Sequence, residues 1–268
     1  MSKIEGYRQG TPSYVELMTP DQQGAASFYA RVFGWDISES PLPEEAGGGV
    51  YLQGRVEGDT VAGISGQMPG LEGHPAFWGV YLAVDDVDAA TAKVEPAGGK
   101  VEAPPFDVMD LGRMSAIQDP TGARVNLWQA AGSIGTERAN EPGTPIWNEV
   151  VTPDVAAAVA FYGEVLGMRS EKMDMPGGDY TSLTDVDGRV IGGALPSSME
   201  GIPPHWNIYF NVTDADATAR TIDEAGGRTV APNFDVEGVG RMGFFTDPQG
   251  AMFAIMQAPD GGGDAGDA

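Results

Sequence analysis

Apolar residues recur at helical spacing between residues 154 and 166, at Val155, Ala158, Val159, Tyr162, Val165 and Leu166, which predicts an amphipathic helix. The same stripe occurs earlier at Ala25, Ala26, Tyr29, Val32 and Phe33. Thr19 and Thr152 stand where N-caps are expected. Pro20 and Pro153 then take the first helical position, where a missing N–H costs nothing. Gly34 and Gly167 are placed to close these helices in the left-handed conformation. A weaker helical pattern runs over 86–95 and again over 214–224, opening on acidic residues that suit the helix dipole. Between the helices, short apolar segments at 13–18, 61–67, 78–84 and 124–129 read as strands. They return at 146–151, 190–195, 206–212 and 252–257. Asp119-Pro120-Thr121-Gly122 and Asp247-Pro248-Gln249-Gly250 are turn tetrads joining the last two strands of each half.

The second half therefore repeats the first. Thr19-Pro20-Asp21 returns as Thr152-Pro153-Asp154, and Phe28-Tyr29 as Phe161-Tyr162. Further on, Phe106-Asp107-Val108 returns as Phe234-Asp235-Val236, and Gly112-Arg113-Met114 as Gly240-Arg241-Met242. The spacing between copies shortens between these two sets of anchors, which predicts a loop insertion in the Pro- and Gly-rich stretch from Pro41 to Gly49. Each half reads strand–helix–three strands, twice. Residues 10–131 and 144–258 are the expected domains, 132–143 the linker, and 259–268, mostly Gly, Asp and Ala, a disordered tail.

Composition narrows the function classes. The chain has 268 residues and no cysteine, so disulfides, thiolate nucleophiles and sulfur-ligated metals are excluded. A formal charge of −24 argues against nucleic acid and anionic membrane as partners, because both require Lys/Arg surfaces. No apolar run approaches a membrane span, and the first residues lack a signal-peptide pattern, so a cytoplasmic location is expected.

With Phe-Tyr in the first helix, Gly-Trp or Gly-Met after it and Asp-Pro-x-Gly before the last strand, the chain resembles the vicinal oxygen chelate superfamily. That group holds glyoxalases, extradiol dioxygenases and bleomycin-resistance proteins. It is similar in particular to two-domain actinobacterial members, some labelled hydroxylases and one group a mycobacterial culture-filtrate antigen. The resemblance covers nearly the whole chain. It implies an α+β fold of two tandem glyoxalase-like domains, each of two βαβββ modules whose sheet curls into an open barrel around a cavity. In metal-dependent members, ligands project into that cavity from the first, middle and last strands. The corresponding positions here are Tyr14, Gly79 and Asn126 in one half and Trp147, Asn207 and Ala254 in the other. None is His, Asp or Glu, the donors that a divalent metal of this chemistry wants. No cofactor is expected, and a divalent metal is the less expected alternative.

Strand alternation places Glu16 on the face of Tyr14, and Glu149 on the face of Trp147. A carboxyl there would be desolvated and suited to general acid–base work, or else would serve as a structural hydrogen-bond acceptor. His205 shares a face with Asn207, and its counterpart in the first half is Phe77. It reads as a hydrogen-bonding histidine of the second cavity, and together with Glu149 it falls short of a complete metal site. His74 reads as a loop residue. Tyr14, Trp128 and Trp147 would form aromatic walls suited to a flat or apolar ligand. Arg113 and Arg241 could meet an anion, although pairing with Asp107 and Asp235 is the more economical use.

The expected activity is that of a lyase or hydroxylase-type enzyme acting on a carbonyl or natural-product-like substrate, with Glu16, Glu149 and His205 as catalytic candidates. Tyr14, Trp147, Asn126, Trp128 and Asn207 would contact the ligand. The alternative is metal-free sequestration of an apolar or aromatic small molecule, as bleomycin-resistance proteins do. Either suits a monomer or a homodimer, and His205 favours the second half as the active one.

Overall fold

The computed structural model describes residues 3–44, 48–67, 73, 75–175, 178–197 and 201–259. In the first half, β1 (Pro12–Thr19), α1 (Gln22–Phe33), β2 (Asp36–Pro41), β3 (Val50–Val56) and β4 (Asp59–Gly66) form one module. The next is β5 (Phe77–Ala83), α2 (Val87–Val94), β6 (Lys100–Val108), β7 (Gly112–Gln118) and β8 (Arg124–Ala130). The second half repeats this order. Its modules are β9 (Pro145–Thr152), α3 (Val155–Leu166), β10 (Arg169–Met175), β11 (Gly178–Thr184) and β12 (Val190–Pro196), then β13 (His205–Asn211), α4 (Ala215–Glu224), β14 (Arg228–Val236), β15 (Gly240–Thr246) and β16 (Met252–Gln257).

Each half is one eight-stranded sheet, in the order β2-β3-β4-β1-β5-β8-β7-β6 and β10-β11-β12-β9-β13-β16-β15-β14. Both sheets are open. Their edge strands do not pair with each other. The inserted loop lies in the β2–β3 connection, residues 42–49, against residues 176–177 in the second half. Expectations for His74 and for the tail beyond Pro259 fall outside the described residues.

Alternation along the strands divides each sheet into two unlike faces. Val15 and Leu17 of β1, Val80 and Leu82 of β5, and Val125 and Leu127 of β8 point into one core that spans both halves. The helices pack on this side, α1 against α4 and α2 against α3. The outer faces carry separate small clusters: Tyr81, Met114 and Trp128 in one half, and Tyr209, Met242, Ala254 and Met256 in the other.

The repeated sequence motifs meet between the halves. Tyr29 of the first Phe-Tyr pair donates to Asp247 Oδ2 of the second half's turn (3.1 Å) and accepts from Trp78 Nε1 (2.9 Å). Tyr162 likewise donates to Asp119 Oδ2 (3.1 Å) and accepts from Trp206 Nε1 (2.8 Å). The other oxygen of each Asp is taken up by backbone N–H groups of its own turn. Residues 132–143 lie along the first sheet: Thr136 donates its N–H to Ser13 and its hydroxyl to Val61, and Arg138 pairs with Asp59 and Glu141.

One cap differs from expectation. Asp21 and Asp154 cap α1 and α3, their carboxylates accepting from Gly24 N and Ala157 N, both at 2.9 Å. Thr19 and Thr152 belong to the preceding strands, and their hydroxyls hold the Asp21 and Asp154 amides instead. The chain needs the Thr-Pro step to turn out of the sheet, which moves the cap two residues on. Asp154→Ala is expected to lower stability by about 1 kcal/mol in urea denaturation, whereas Thr152→Ser should change it by less than half of that.

Candidate functional site

Glu16 and Glu149 occupy matching places at the centre of the outer faces. Glu16 lies opposite Gly63 on β4 and Gly79 on β5; Glu149 lies opposite Gly193 on β12 and Asn207 on β13. Gly63 and Gly193 leave room for tyrosines reaching in from the next strand. A Cβ on Gly63 would sit 2.1 Å from the Tyr51 hydroxyl, and one on Gly193 1.9 Å from that of Tyr180.

In the first half Tyr81 donates to Glu16 Oε2, the Tyr51 and Ser65 hydroxyls also act on this carboxyl, and Tyr14 and Tyr51 share a 3.0 Å hydrogen bond. In the second, Tyr209 donates to Glu149 Oε1 and Tyr180 to Oε2 (3.3 Å), while Trp147 Nε1 donates to the Tyr180 hydroxyl (2.9 Å). Each half thus holds one carboxyl between two phenols. Tyr51 and Tyr180 could not be found by reading strands singly, because the register that carries them over a glycine is non-local. The signal was their equivalence in the repeat, each with a glycine at the matching place on the neighbouring strand.

Both carboxyls are buried, Glu16 at 9% exposure and Glu149 at 4%. Burial pushes both above the usual carboxylate range, opposed by the tyrosine hydrogen bonds, which favour the ionised form. Tyr81 and Tyr209 are driven well above the ordinary phenol value, by burial first and by the neighbouring Glu charge second. The phenols are therefore fixed donors, and the carboxyl is the group poised to exchange a proton.

The remaining candidates fall around these centres. Asn126 lies on β8 beside Tyr81, its Nδ2 3.4 Å from where a Gly79 Cβ would be. Trp128 packs edge-on against Tyr81 and donates its indole N–H to Ser133 (3.0 Å), so it is a pinned wall. Asn207 is buried and also acts on the Glu149 carboxyl. His205 opens β13 opposite Val151, and its Nδ1 lies 2.9 Å from the Pro203 carbonyl. Arg113 pairs with Asp88 and Asp107, and Arg241 with Asp216 and Asp235. A surface hollow of about 240 Å³ beside Asp110 and Arg113 lies away from both carboxyls.

The positions to which the resemblance assigns a metal, Tyr14, Gly79 and Asn126 in one half and Trp147, Asn207 and Ala254 in the other, neighbour one another on adjacent strands, but with the wrong chemistry. Each half offers a single carboxylate among phenol, amide and indole groups. Among the described residues no three His, Cys, Asp or Glu lie within reach of a common ion. This donor set does not fit a divalent metal.

The sequence profile of the Glyoxalase/Bleomycin resistance protein/Dioxygenase superfamily matches residues 11–127 and 146–255, one match per sheet. The chain belongs to this superfamily. Among its superfamily relatives, "Putative glyoxylase CFP32" of Mycobacterium tuberculosis is 46% identical over 258 residues, covering 96% of this chain and 98% of that protein. "Anthracycline biosynthesis protein DnrV" of Streptomyces peucetius is 33% identical over 272 residues, covering 95% and 96%. The Mn(II)-bound glyoxalase of Novosphingobium aromaticivorans has the same fold, with a TM-score of 0.62 at 20% identity over 93% of this chain and 82% of that one. So does the 2,3-dioxygenase LapB of Pseudomonas sp. KL28, with a TM-score of 0.60 at 16% identity over 94% of each.

Proposed function

We propose that this protein is a glyoxalase-superfamily enzyme of lyase type that moves a proton on a carbonyl-bearing substrate through Glu149 or Glu16, without the superfamily's metal. The observation that carries this reading is the buried carboxyl set between two tyrosine hydroxyls, present in both halves. A desolvated carboxylate beside a carbonyl compound takes a proton from the adjacent carbon and returns it to the oxygen or to a neighbouring carbon. Once the carboxylate has taken that proton it accepts less strongly, and a phenol O–H that had bonded it turns to the enolate oxygen formed between these steps. Carboxyl and phenol groups transfer protons, which favours a lyase-type step over hydroxylation.

The aromatic surroundings, Tyr14 and Trp128 in one half and Trp147 and Phe244 in the other, suit a flat or apolar small molecule. The relatives named for glyoxylase activity and for anthracycline biosynthesis support two probe classes, α-ketoaldehyde–thiol adducts and polycyclic aromatic ketones. The same walls support a second reading, sequestration without chemistry. Under it, such a ketone would quench tryptophan fluorescence while no product formed.

The test is turnover of both probe classes by protein exhaustively treated with chelator. Undiminished turnover is expected. Activity lost on chelation and restored by a divalent cation would contradict the proposal.

A further inference from the structure

The two outer faces differ in one respect that the duplicated Glu–Tyr sets conceal. In the second half, Ser182 is 4% exposed and its hydroxyl has no hydrogen-bond partner among the described residues. His205 Nε2 is also buried and without one. A carbonyl can only accept, so the contact with Pro203 makes Nδ1 the protonated nitrogen of the neutral ring and leaves Nε2 as a bare acceptor. The equivalent positions in the first half carry no such atoms. Gln53 there is bonded by Arg55, and Phe77 is apolar and exposed.

These two orphan atoms flank Glu149. Ser182 on β11 pairs with Gly193 on β12, which pairs with Glu149 on β9. Glu149 is opposite Asn207 on β13, and His205 lies two residues back on the same face. Ser182 and His205 are thus three strand spacings apart across the sheet and two residues apart along it, roughly 16 Å between backbones. Burying a polar atom without a partner is costly, and native proteins rarely leave one so without a water or ligand to satisfy it. Two on one face, on either side of a carboxyl, are positioned to be satisfied together.

We infer that the second half alone holds an elongated, flat ligand with a hydroxyl at each end, one donating to His205 Nε2 and the other bonding the Ser182 hydroxyl, with its middle over Glu149. This rests on the reading that the outer face around Glu149 receives a small molecule. It adds which half does so and what chemistry the ligand carries at its ends.

Anthracene-2,6-diol, whose hydroxyl oxygens lie about 10 Å apart and which with two hydrogen bonds spans about 16 Å, and its dimethyl ether, titrated calorimetrically into the full chain, test this. The diol is expected to bind at one equivalent per chain, at least about tenfold more tightly than the ether. Ser182→Ala and His205→Phe should each weaken the diol about tenfold, and Phe77→Ala in the first half should leave it unchanged. Ser182→Ala should also raise the thermal midpoint, which shows that the variant is folded and that the lost hydroxyl had no partner within the protein. Equal binding of diol and ether, two equivalents per chain, wild-type affinity in both variants, or no binding of the diol would each overturn the inference. Diol binding that depends on these residues, in a protein without carboxyl-dependent turnover, would leave it standing and remove the proton-transfer reading instead.

Discussion

Glu16→Gln combined with Glu149→Gln is expected to lower turnover by roughly 10²–10⁴-fold while making the protein more stable above neutral pH. Gln keeps the size and shape of Glu, and tyrosine hydroxyls accept as well as donate, so the hydrogen-bonded arrangement survives. The exchangeable proton does not. Stability should move the other way because both carboxyls lie above their ordinary range in the folded protein. Between the unfolded value and the raised folded value, the folded chain binds more protons than the unfolded one. Stability is therefore complete below that window and falls as pH rises through it. The double variant lacks this loss, so the two urea-denaturation curves should coincide in acid and separate as pH rises. Unchanged turnover would remove both carboxyls from the mechanism, and a variant less stable than wild type at high pH would assign them a structural role.

Tyr29→Phe and Tyr162→Phe are expected to produce the largest losses of stability. Each hydroxyl joins a buried Trp indole in one half to an Asp of the other half's turn. Removing it leaves two buried polar groups short of a partner, each costing roughly 1–3 kcal/mol. About 3 kcal/mol per variant is therefore predicted from urea denaturation. The double variant should lose nearly the sum, because the two clasps share no residue. Burial already holds Asp247 above the usual carboxylate range, and Tyr29 is one of the donors opposing that shift. Losing it should raise Asp247 further and steepen the loss of stability as pH climbs out of the acid range. A loss below about 1 kcal/mol in either single variant would show that the clasp contributes little beyond packing.

These clasps also show what was legible in the sequence. Phe-Tyr and Asp-Pro-x-Gly identified the superfamily as isolated motifs, but that each Tyr serves the other half's Asp is a tertiary fact with no local trace. Period-two alternation was enough to set Glu16 beside Tyr14, and Glu149 beside Trp147, because β1 and β9 are central strands with one face in the core. It did not expose β2, whose Asp36–Pro41 stretch at a sheet edge offers a single aliphatic residue, Ile37, to the core. Nor did it find Tyr51 and Tyr180, which reach their carboxyls across the glycine of an intervening strand. The helix cap was misplaced because Thr-Pro-Asp offers two capping residues, and the geometry of leaving the sheet decides between them. Trp128 reads as the wall of a ligand site; the Ser133 carbonyl that pins it lies five residues on, beyond the end of β8, where strand alternation says nothing.

The most direct test of the proton-carrying site is a carbon-13 NMR titration of the glutamate side-chain carboxyls in metal-stripped protein, with Glu16→Gln and Glu149→Gln used to assign the two resonances. Two carboxyls titrating clearly above the ordinary glutamate range, each lost in its own variant, are predicted. If both titrate at or below that range, neither is a desolvated proton carrier and the proposed mechanism fails.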